Sequence, residues 1–391
     1  MEVLTLYGKL PLIRWSLIPA DAESKERLLE FNGLKSVHPL DSYLGIAGLP
    51  FKITPCCILR IAFWAQNQLS YQRAEEAIRQ VLSIDVDRVT IRNVVNHVGD
   101  FVFKNDCKNA LEAKKLLDTG RLNLPYDKKG TLYIETDGAA VNTRTKTADS
   151  TWRENKLAVA FTSDDIRWWT TSNGESRHSF MQKPIYCSLI GSASDFKSHV
   201  LALAVRAGYG RYMNTVFISD GATWIRNMIQ EIFPDAQQIL DFYHLCENVN
   251  KYARGLFGSS KSQEGARKKW ANEICDYLKS SQYQKVLDEL GEGNTVNVDG
   301  VSFNLHGYIT NNINNIDYLE YQQKGFFIGS GIVESANKTV LQDRLKRAGM
   351  RWNVQCAQAM LTLRAKQESG LWESDVVYPF LNNCFTRSLN L

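Results

Sequence analysis

The sequence predicts an α/β protein: a mixed sheet flanked by helices, preceded by a helical domain and interrupted by an all-helical insertion. Three observations lead there. Between residues 130 and 241, apolar runs of strand length alternate with helical periodicity in the order strand, strand, strand, helix, strand, helix, strand. Two of those strand runs end in Asp-Gly, at Asp137 and Asp220. On either side of this block, apolar residues recur at the three- and four-residue spacing of amphipathic helices.

Residues 1–50 read as a small N-terminal β/cap region. Residues 2–18 suit one or two strands, Ser24–Asn32 a short charged helix, and His38–Pro50 a connector holding Gly and Pro. No chemistry is assigned to them. Residues 51–125 read as a helical domain. Ile58, Ile61, Ala62, Ala65 and Leu69 follow helical spacing, Ser70 is placed to cap a second helix, and Ala74, Ala77, Ile78 and Val81 form its apolar stripe. Ser83–Val86 reads as a turn and Asp87 as the next N-cap. The helix that follows puts Ile91, Val94, Val95 and Val98 on one face and Arg88, Thr90, Arg92, Asn93 and Asn96 toward the other. Arg pairs well with guanine and Asn with adenine in the major groove, so this segment fits a helix-turn-helix DNA reader. An ordinary helical hairpin with a solvated face fits the same spacing. Residues 106–125 read as a further helix and a linker ending at Pro125.

Residues 126–391 carry the sheet. Thr131–Thr136 is a strand that ends in Asp137-Gly138, Lys156–Thr162 a second and Ile185–Ile190 a third. Ser194–Arg206 is a helix, Val216–Ser219 a fourth strand ending in Asp220-Gly221, Thr223–Phe233 a helix, and Gln238–Leu240 a fifth strand ending at Asp241. This is the ribonuclease H-like order. In that fold the first and fourth strands are parallel neighbours at the centre of the sheet, so carboxylates at their carboxyl ends meet where open α/β sheets place ligands.

Cleaving a phosphodiester without a covalent intermediate needs an activated water or hydroxyl and a stabilised leaving oxygen. Two Mg²⁺ ions roughly 3.5–4 Å apart supply both. Mg²⁺ takes hard oxygen ligands, so Asp and Glu suit it and Cys and His do not. Asp-Gly is also a hairpin-turn signal. At Asp220 a helical pattern follows, which disfavours a hairpin; at Asp137 another strand follows, after the polar stretch Asn142–Asn155, and the turn reading stays open.

Residues 242–327 are polar and helical and read as the insertion. Gly329-Ser330-Gly331 then opens a helix from Val333 to Ala348, with Glu334 in its first turn and Gly349 as its C-cap. Lys338, Arg344, Lys346, Arg347 and Arg351 make a basic run in which Asp343 is the one acid. Phosphate binding fits that run, as does a solvated face with a Glu334–Lys338 pair at i, i+4 spacing.

Composition narrows the class without choosing within it. The 391 residues are 44% hydrophobic and 11% aromatic, enough for a sizeable core and for surfaces that stack on bases. A formal charge of +4 permits nucleic acid as a partner but does not demand it. The 8 cysteines are scattered, with no Cys-x-x-Cys, which disfavours a zinc site or a disulfide framework and predicts buried reduced thiols. No apolar run approaches a membrane span and no signal peptide is evident.

Five segments carry a family resemblance: Tyr133–Arg144 (YIETDGAAVNTR), Ile218–Arg226 (ISDGATWIR), Phe233–Glu247 (FPDAQQILDFYHLCE), Ile328–Lys338 (IGSGIVESANK) and Arg344–Trp352 (RLKRAGMRW). In this order they resemble bacterial insertion-sequence transposases of the Mutator-like DDE type. The resemblance implies Asp137, Asp220 and Glu334 as the metal-binding catalytic triad, with Asp241 and His244 of an Asp-x-x-His motif close by. It implies two Mg²⁺ ions, with Mn²⁺ able to substitute. It implies cleavage at transposon ends, then attack of the freed 3′-OH on target DNA, by a cytoplasmic protein working as a homo-oligomer on double-stranded DNA. His244 takes a structural or strand-positioning role in this reading. Arg351 and Trp352 suit phosphate contact and base stacking, though Trp352 fits a core position equally well. Two other classes remain: a catalytically silent or domesticated DNA-binding protein, and another ribonuclease H-like nuclease such as a junction resolvase.

Overall fold

Three neighbouring parallel strands at one end of a five-stranded sheet organise the computed structural model, which describes residues 1–32, 36–122, 126–147, 150–170 and 177–389. The chain opens with a hairpin, β1 (Glu2–Thr5) and β2 (Gly8–Pro11), then α1 (Ala22–Asn32) and α2 (Pro39–Tyr43). Three helices follow: α3 (Pro55–Asn67), α4 (Tyr71–Leu82) and α5 (Arg88–Asp118). Ser70 and Asp87 cap the latter two, accepting hydrogen bonds from Arg73 N–H and from the N–H groups of Val89 and Thr90.

The sheet is built from β3 (Lys128–Thr147), β4 (Ser150–Thr162), β7 (Ile185–Leu189), β8 (Tyr212–Ser219) and β9 (Gln237–Leu240), with a small hairpin, β5 (Ile166–Thr170) and β6 (Arg177–Met181), standing apart. Helix α6 (Ala193–Ala207) joins β7 to β8, and α7 (Thr223–Ile232) joins β8 to β9. The strand order is β7-β4-β3-β8-β9, with β4 antiparallel to its neighbours and β3, β8 and β9 mutually parallel. The expected first and fourth strands are thus parallel neighbours.

After β9 come α8 (Phe242–Phe257), α9 (Glu264–Lys279), α10 (Tyr283–Leu290), a hairpin of β10 (Val296–Val298) and β11 (Val301–Phe303), α11 (Leu305–Asn311) and α12 (Tyr318–Gln323). The chain returns to the sheet at Ile328, whose carbonyl accepts the N–H of Phe242, so the two ends of this excursion are pinned together. Helix α13 (Gly331–Ala336) runs through a π-helical stretch, Asn337–Gln342, into a last turn, α14 (Asp343–Leu345). Then come α15 (Val354–Glu368), a second π-helical stretch, Trp372–Val377, and α16 (Tyr378–Leu389).

Alternation along the strands divides the core in two. Tyr133, Leu157, Val159, Val216 and Ile218 face one apolar cluster that continues through α3, α5, α13 and α15. Leu132, Ile134, Ala158, Ala160 and Phe217 face a second, under α6 and α7. Each fully buried aliphatic or aromatic side chain contributes about 1.5–3 kcal/mol by leaving water. The N-terminal helices therefore share a core with one face of the sheet.

Several expectations are corrected. Strand β3 does not stop at Asp137-Gly138; its ladder with β4 runs through Asp137↔Leu157 to Asn142↔Trp152 before the register shifts. The backbone pairing of the following polar residues holds them in the strand, so the Asp-Gly makes no turn. The helix from Arg88 is one continuous element to Asp118, because Val102, Ala110 and Ala113 prolong its buried face. Part of the expected further helix is its second half, and Pro125 lies outside the described residues. The insertion is not all helical: Asp299 (φ 53) and Gly300 (φ 84) form a left-handed turn that folds β10 onto β11, the Asp-Gly hairpin signal at the place where it does act. The basic helix ends at Leu345 rather than Ala348, so Gly349 (φ 76) turns the chain beyond it instead of capping it. None of the eight cysteines is in a disulfide, but Cys57 and Cys384 alone are fully buried, and Cys56 is exposed. No helix among the described residues is long and apolar enough to cross a membrane.

Candidate active site

Parallel pairing places three aspartates level with one another. In the β3–β8 ladder Glu135 is opposite Ile218, so Asp137 and Asp220 each lie two residues further along. In the β8–β9 ladder Ser219 is opposite Leu240, so Asp220 and Asp241 are each the next residue. The 1st, 4th and 5th strands of the sheet thus deliver Asp137, Asp220 and Asp241 to one edge.

Asp241 is fully buried and caps α8. Its Oδ1 accepts the Tyr243 N–H at 2.8 Å, and its Oδ2 accepts from His244 Nδ1 at 2.8 Å and from the Ser330 hydroxyl. Burial alone pushes the Asp241 carboxyl up, yet these hydrogen bonds outweigh it and hold the group below its ordinary value. The same bond holds a proton on His244, raising it to about 9, with the charges of Asp241 and Glu247 adding to the effect.

Glu334 stands exposed in the first turn of α13, and single ligand atoms of Asp241, His244 and Glu334 lie within 4.8 Å of one another. Burial raises Glu334, and the nearby Asp241 charge adds to it. Burial also raises Asp137, opposed by the Gly138 N–H and by His244, and reinforced by Asp220. Asn337 Nδ2 donates to Asp137 Oδ2. Asp220 Oδ1 accepts the Ala222 N–H at 2.9 Å, and the Tyr308 hydroxyl donates to the Asp220 carbonyl at 3.1 Å. The start of α13 is clamped from below: Glu135, itself buried, accepts the Val333 N–H at 2.8 Å, and burial pushes its carboxyl up to about 8.

This donor set suits a hard divalent cation. Asp137, Asp220 and Glu334 are half-buried or exposed carboxylates, the ligand type that Mg²⁺ or Mn²⁺ takes, and Asp137 feels the charge of Asp220 as Glu334 feels that of Asp137. Asp241 has both oxygens occupied and His244 carries the proton between them, which makes this pair an orienting element and not a free ligand set.

The expected DNA-binding residues divide. Arg88, Arg92, Asn93 and Asn96 of α5 line the same groove, of about 700 Å³, as Arg344, Arg351 and Trp352. The 350s segment is held there by β3: Trp352 N–H donates to the Asn142 carbonyl and Arg144 N–H to the Trp352 carbonyl. Lys338, Lys346 and Arg347 are exposed outside that groove, and no Glu334–Lys338 ion pair forms among the described residues. Asn96 is half-buried and its amide donates to Cys356 Sγ at 3.1 Å. Arg344 and Trp352 line the groove from beneath, at 1% and 7% exposure, and not on the open surface that the basic run suggested. The Trp352 ring is covered by Arg344 and Tyr71, which takes the core alternative and leaves no open face for a base.

Glu135, Ser330, Asn337 and Tyr71 were not singled out from the sequence. Glu135 shares a strand face with Asp137 at i, i+2, and Asn337 shares a helix face with Glu334 at i, i+3, so spacing pointed to both. Ser330 and Tyr71 reach their partners through tertiary folding, which local spacing does not carry.

A family model described as "Uncharacterised protein family (UPF0236)" matches residues 35–378. Among curated proteins, the "UPF0236 protein in vanSb 3'region" of Streptococcus gallolyticus is 21% identical over 366 residues, which cover 89% of this chain and 71% of that protein. Among solved structures, the Drosophila P element transposase strand transfer complex aligns with 93% of this chain and 85% of its own, at 10% identity and a TM-score of 0.26.

Proposed function

The chain belongs to the uncharacterised protein family UPF0236, and we propose that it is a DDE-type DNA transposase with a ribonuclease H-like core, in which Asp137, Asp220 and Glu334 hold two divalent metal ions. The observation that carries this reading is the level placement of Asp137 and Asp220 on adjacent parallel strands, with the Glu334 helix fastened to the same edge through Glu135, Asn337 and Asp241.

Bound Mg²⁺ or Mn²⁺ would neutralise charge at the scissile phosphate and lower the pKa of the attacking water or 3′-OH. The protein's own residues supply position. Asn337 fixes the Asp137 carboxylate, the Ala222 N–H fixes Asp220, and the Glu135 clamp fixes the first turn from which Glu334 projects. His244 adds a held positive charge beside three carboxylates, which limits their mutual repulsion and orients α8 against the sheet. One such site serves both hydrolysis at element ends and strand transfer, since each is an in-line displacement at phosphorus. Joining two ends to one target calls for a homo-oligomer acting on double-stranded DNA.

The test is nicking of supercoiled plasmid in Mg²⁺ and in Mn²⁺, comparing the unmodified chain with Asp137→Asn, Asp220→Asn and Glu334→Gln. Metal-dependent nicking lost in all three supports the triad. Equal nicking by the variants sinks the site. An inert protein that still shifts plasmid and cognate element ends would favour a silent DNA-binding protein, for which the basic groove would be sufficient.

A further inference from the structure

Arg344 is the largest fully buried side chain among the described residues, and it forms no salt bridge among them. Its guanidinium carbon lies 4.7 Å from the centre of the Tyr71 ring and 5.1 Å from that of Trp352. Two of its nitrogens, Nε and Nη2, are buried without a hydrogen-bond partner. Stacking on two rings offsets part of the cost of burying a cation. It does nothing for the in-plane N–H groups, and an unpaired buried donor costs about 1–3 kcal/mol, more when charged. The side chain is therefore held in place by its faces and left unsatisfied at its edge.

Its surroundings share the deficit. Arg88 and Arg92 from α5, Arg144 from β3, and Arg344 and Arg351 from the segment after α13 line one groove, and no carboxylate lines it. None of the five forms a salt bridge among the described residues, although arginines elsewhere, among them Arg14, Arg73, Arg79, Arg206 and Arg211, are paired with acids. Like charges gathered in a groove repel unless an anion joins them.

We propose that this groove seats the backbone of a DNA strand, with Arg344 as a buried phosphate anchor and the four other arginines as its rim. The inference rests on the reading of the chain as a protein that acts on DNA, and it deepens that reading by placing one contact surface. A guanidinium fork with free N–H groups matches two phosphate oxygens. The groove extends well beyond one phosphate, which suits consecutive phosphates of a strand better than a free anion. At 1% exposure Arg344 lines the groove beneath Tyr71 and Trp352, and a phosphate reaches its unpaired edge when those rings shift. The N-terminal helices then serve as one wall of a composite groove, and the core supplies the other.

The experiment measures binding of a fluorescent duplex of arbitrary sequence to the full chain, with chelator present so that no cleavage occurs, across a series of KCl concentrations. The variants are Arg344→Gln, Arg344→Lys, Arg92→Gln and Arg351→Gln, with Arg211→Gln as the control on a remote ion pair. Each rim variant is expected to weaken binding and to reduce the slope of log K against log salt by about 1. Arg344→Gln is expected to weaken binding about tenfold or more with a similar change in slope, and Arg344→Lys to recover the slope but not the affinity. A purely structural Arg344 would move the melting temperature and leave the slope alone, and that result overturns the proposal. If Arg344→Gln does not fold, unchanged slopes in both rim variants overturn it instead. A wild type that binds no duplex also overturns it, as does stabilisation by inorganic pyrophosphate without duplex binding. Altered slopes with no metal-dependent nicking would leave the groove standing while the transposase reading falls. Nicking with unaltered slopes would do the reverse.

Discussion

Asn337 hydrogen-bonds the carboxylate of Asp137, its Nδ2 donating to Oδ2 from the π-helical stretch just beyond Glu334. The bond joins the strand of the first carboxylate to the helix of the third. Removing an outer partner of a metal-binding carboxylate costs roughly 10–100-fold in affinity or activity. Asn337→Ala is accordingly expected to slow plasmid nicking by that factor with little change in far-UV circular dichroism. Nicking at the wild-type rate would show that Asp137 needs no such support.

The His244–Asp241 pair predicts a pH signature in the metal-free protein. His244 titrates near 6.5 when unfolded and is raised to about 9 in the fold. Its contribution to stability is present in full below about 6.5 and is lost as pH rises through about 9. Asp241 is held below 3.8, so its contribution is present above 3.8 and is lost as pH falls through its lowered folded value. Melting temperatures in chelator should therefore fall between pH 6.5 and 9 more steeply for the unmodified chain than for His244→Asn. Parallel curves would mean that the imidazole carries no extra proton.

Metal binding and folding should separate at neighbouring aspartates. Ligand binding to the folded state stabilises it by about 2.7 kcal/mol at a concentration 100 times Kd. Mn²⁺ is expected to raise the melting temperature of the unmodified chain, and Asp220→Asn or Glu334→Gln to cut that increment. Asp241→Asn should instead lower the melting temperature without metal, because it disturbs a buried carboxylate that accepts from Ser330, His244 and Tyr243. An equal loss of the metal increment in all three variants would make Asp241 a ligand.

Gly99 marks a close crossing of α5 and α15. A Cβ there would meet the Ala359 carbonyl oxygen at 2.5 Å and the Ala359 Cβ at 2.7 Å. Gly99→Ala would gain up to about 1 kcal/mol in helix propensity if the site were free. The clash predicts a net loss instead, of about 1–3 kcal/mol, read from denaturant midpoints. A stabilised variant would mean that the two helices part without penalty.

The central sheet was legible because alternation and strand length are local signals. Asp137, Asp220 and Asp241 could be placed at strand ends from the sequence, though for Asp137 the strand does not end there. Asp-Gly carries turn information, and its meaning depends on whether the neighbouring strand keeps pairing. It does at Asp137, and at Asp299 it closes a hairpin. The basic run after Glu334 was legible as charge and not as position. Its Arg344 is buried, because Tyr71, distant in sequence, and Trp352 cover it. Helix α5 was read as two pieces, whereas Val102, Ala110 and Ala113 carry its buried face through and Gly99 makes a close contact with Ala359. What the sequence hides in each case is a partner far along the chain.

The bond from Phe242 N–H to the Ile328 carbonyl closes the neck of the insertion next to Asp241. The chain between those residues leaves and rejoins the sheet at one point and is tied to it again by the hydroxyls of Tyr308 and Tyr318, which donate to the carbonyls of Asp220 and Leu240. Because closure entropy grows only slowly with loop length, by about 0.6 kcal/mol per doubling, lengthening the stretch from α9 to β11 costs little as long as α8, Tyr308 and Tyr318 keep their bonds to Asp241, Asp220 and Leu240. The outer part of the insertion is thus a cassette: an engineer can exchange α9 and α10 while the spacing of Asp137, Asp220 and Glu334 stays with the sheet and the inner helices that touch it.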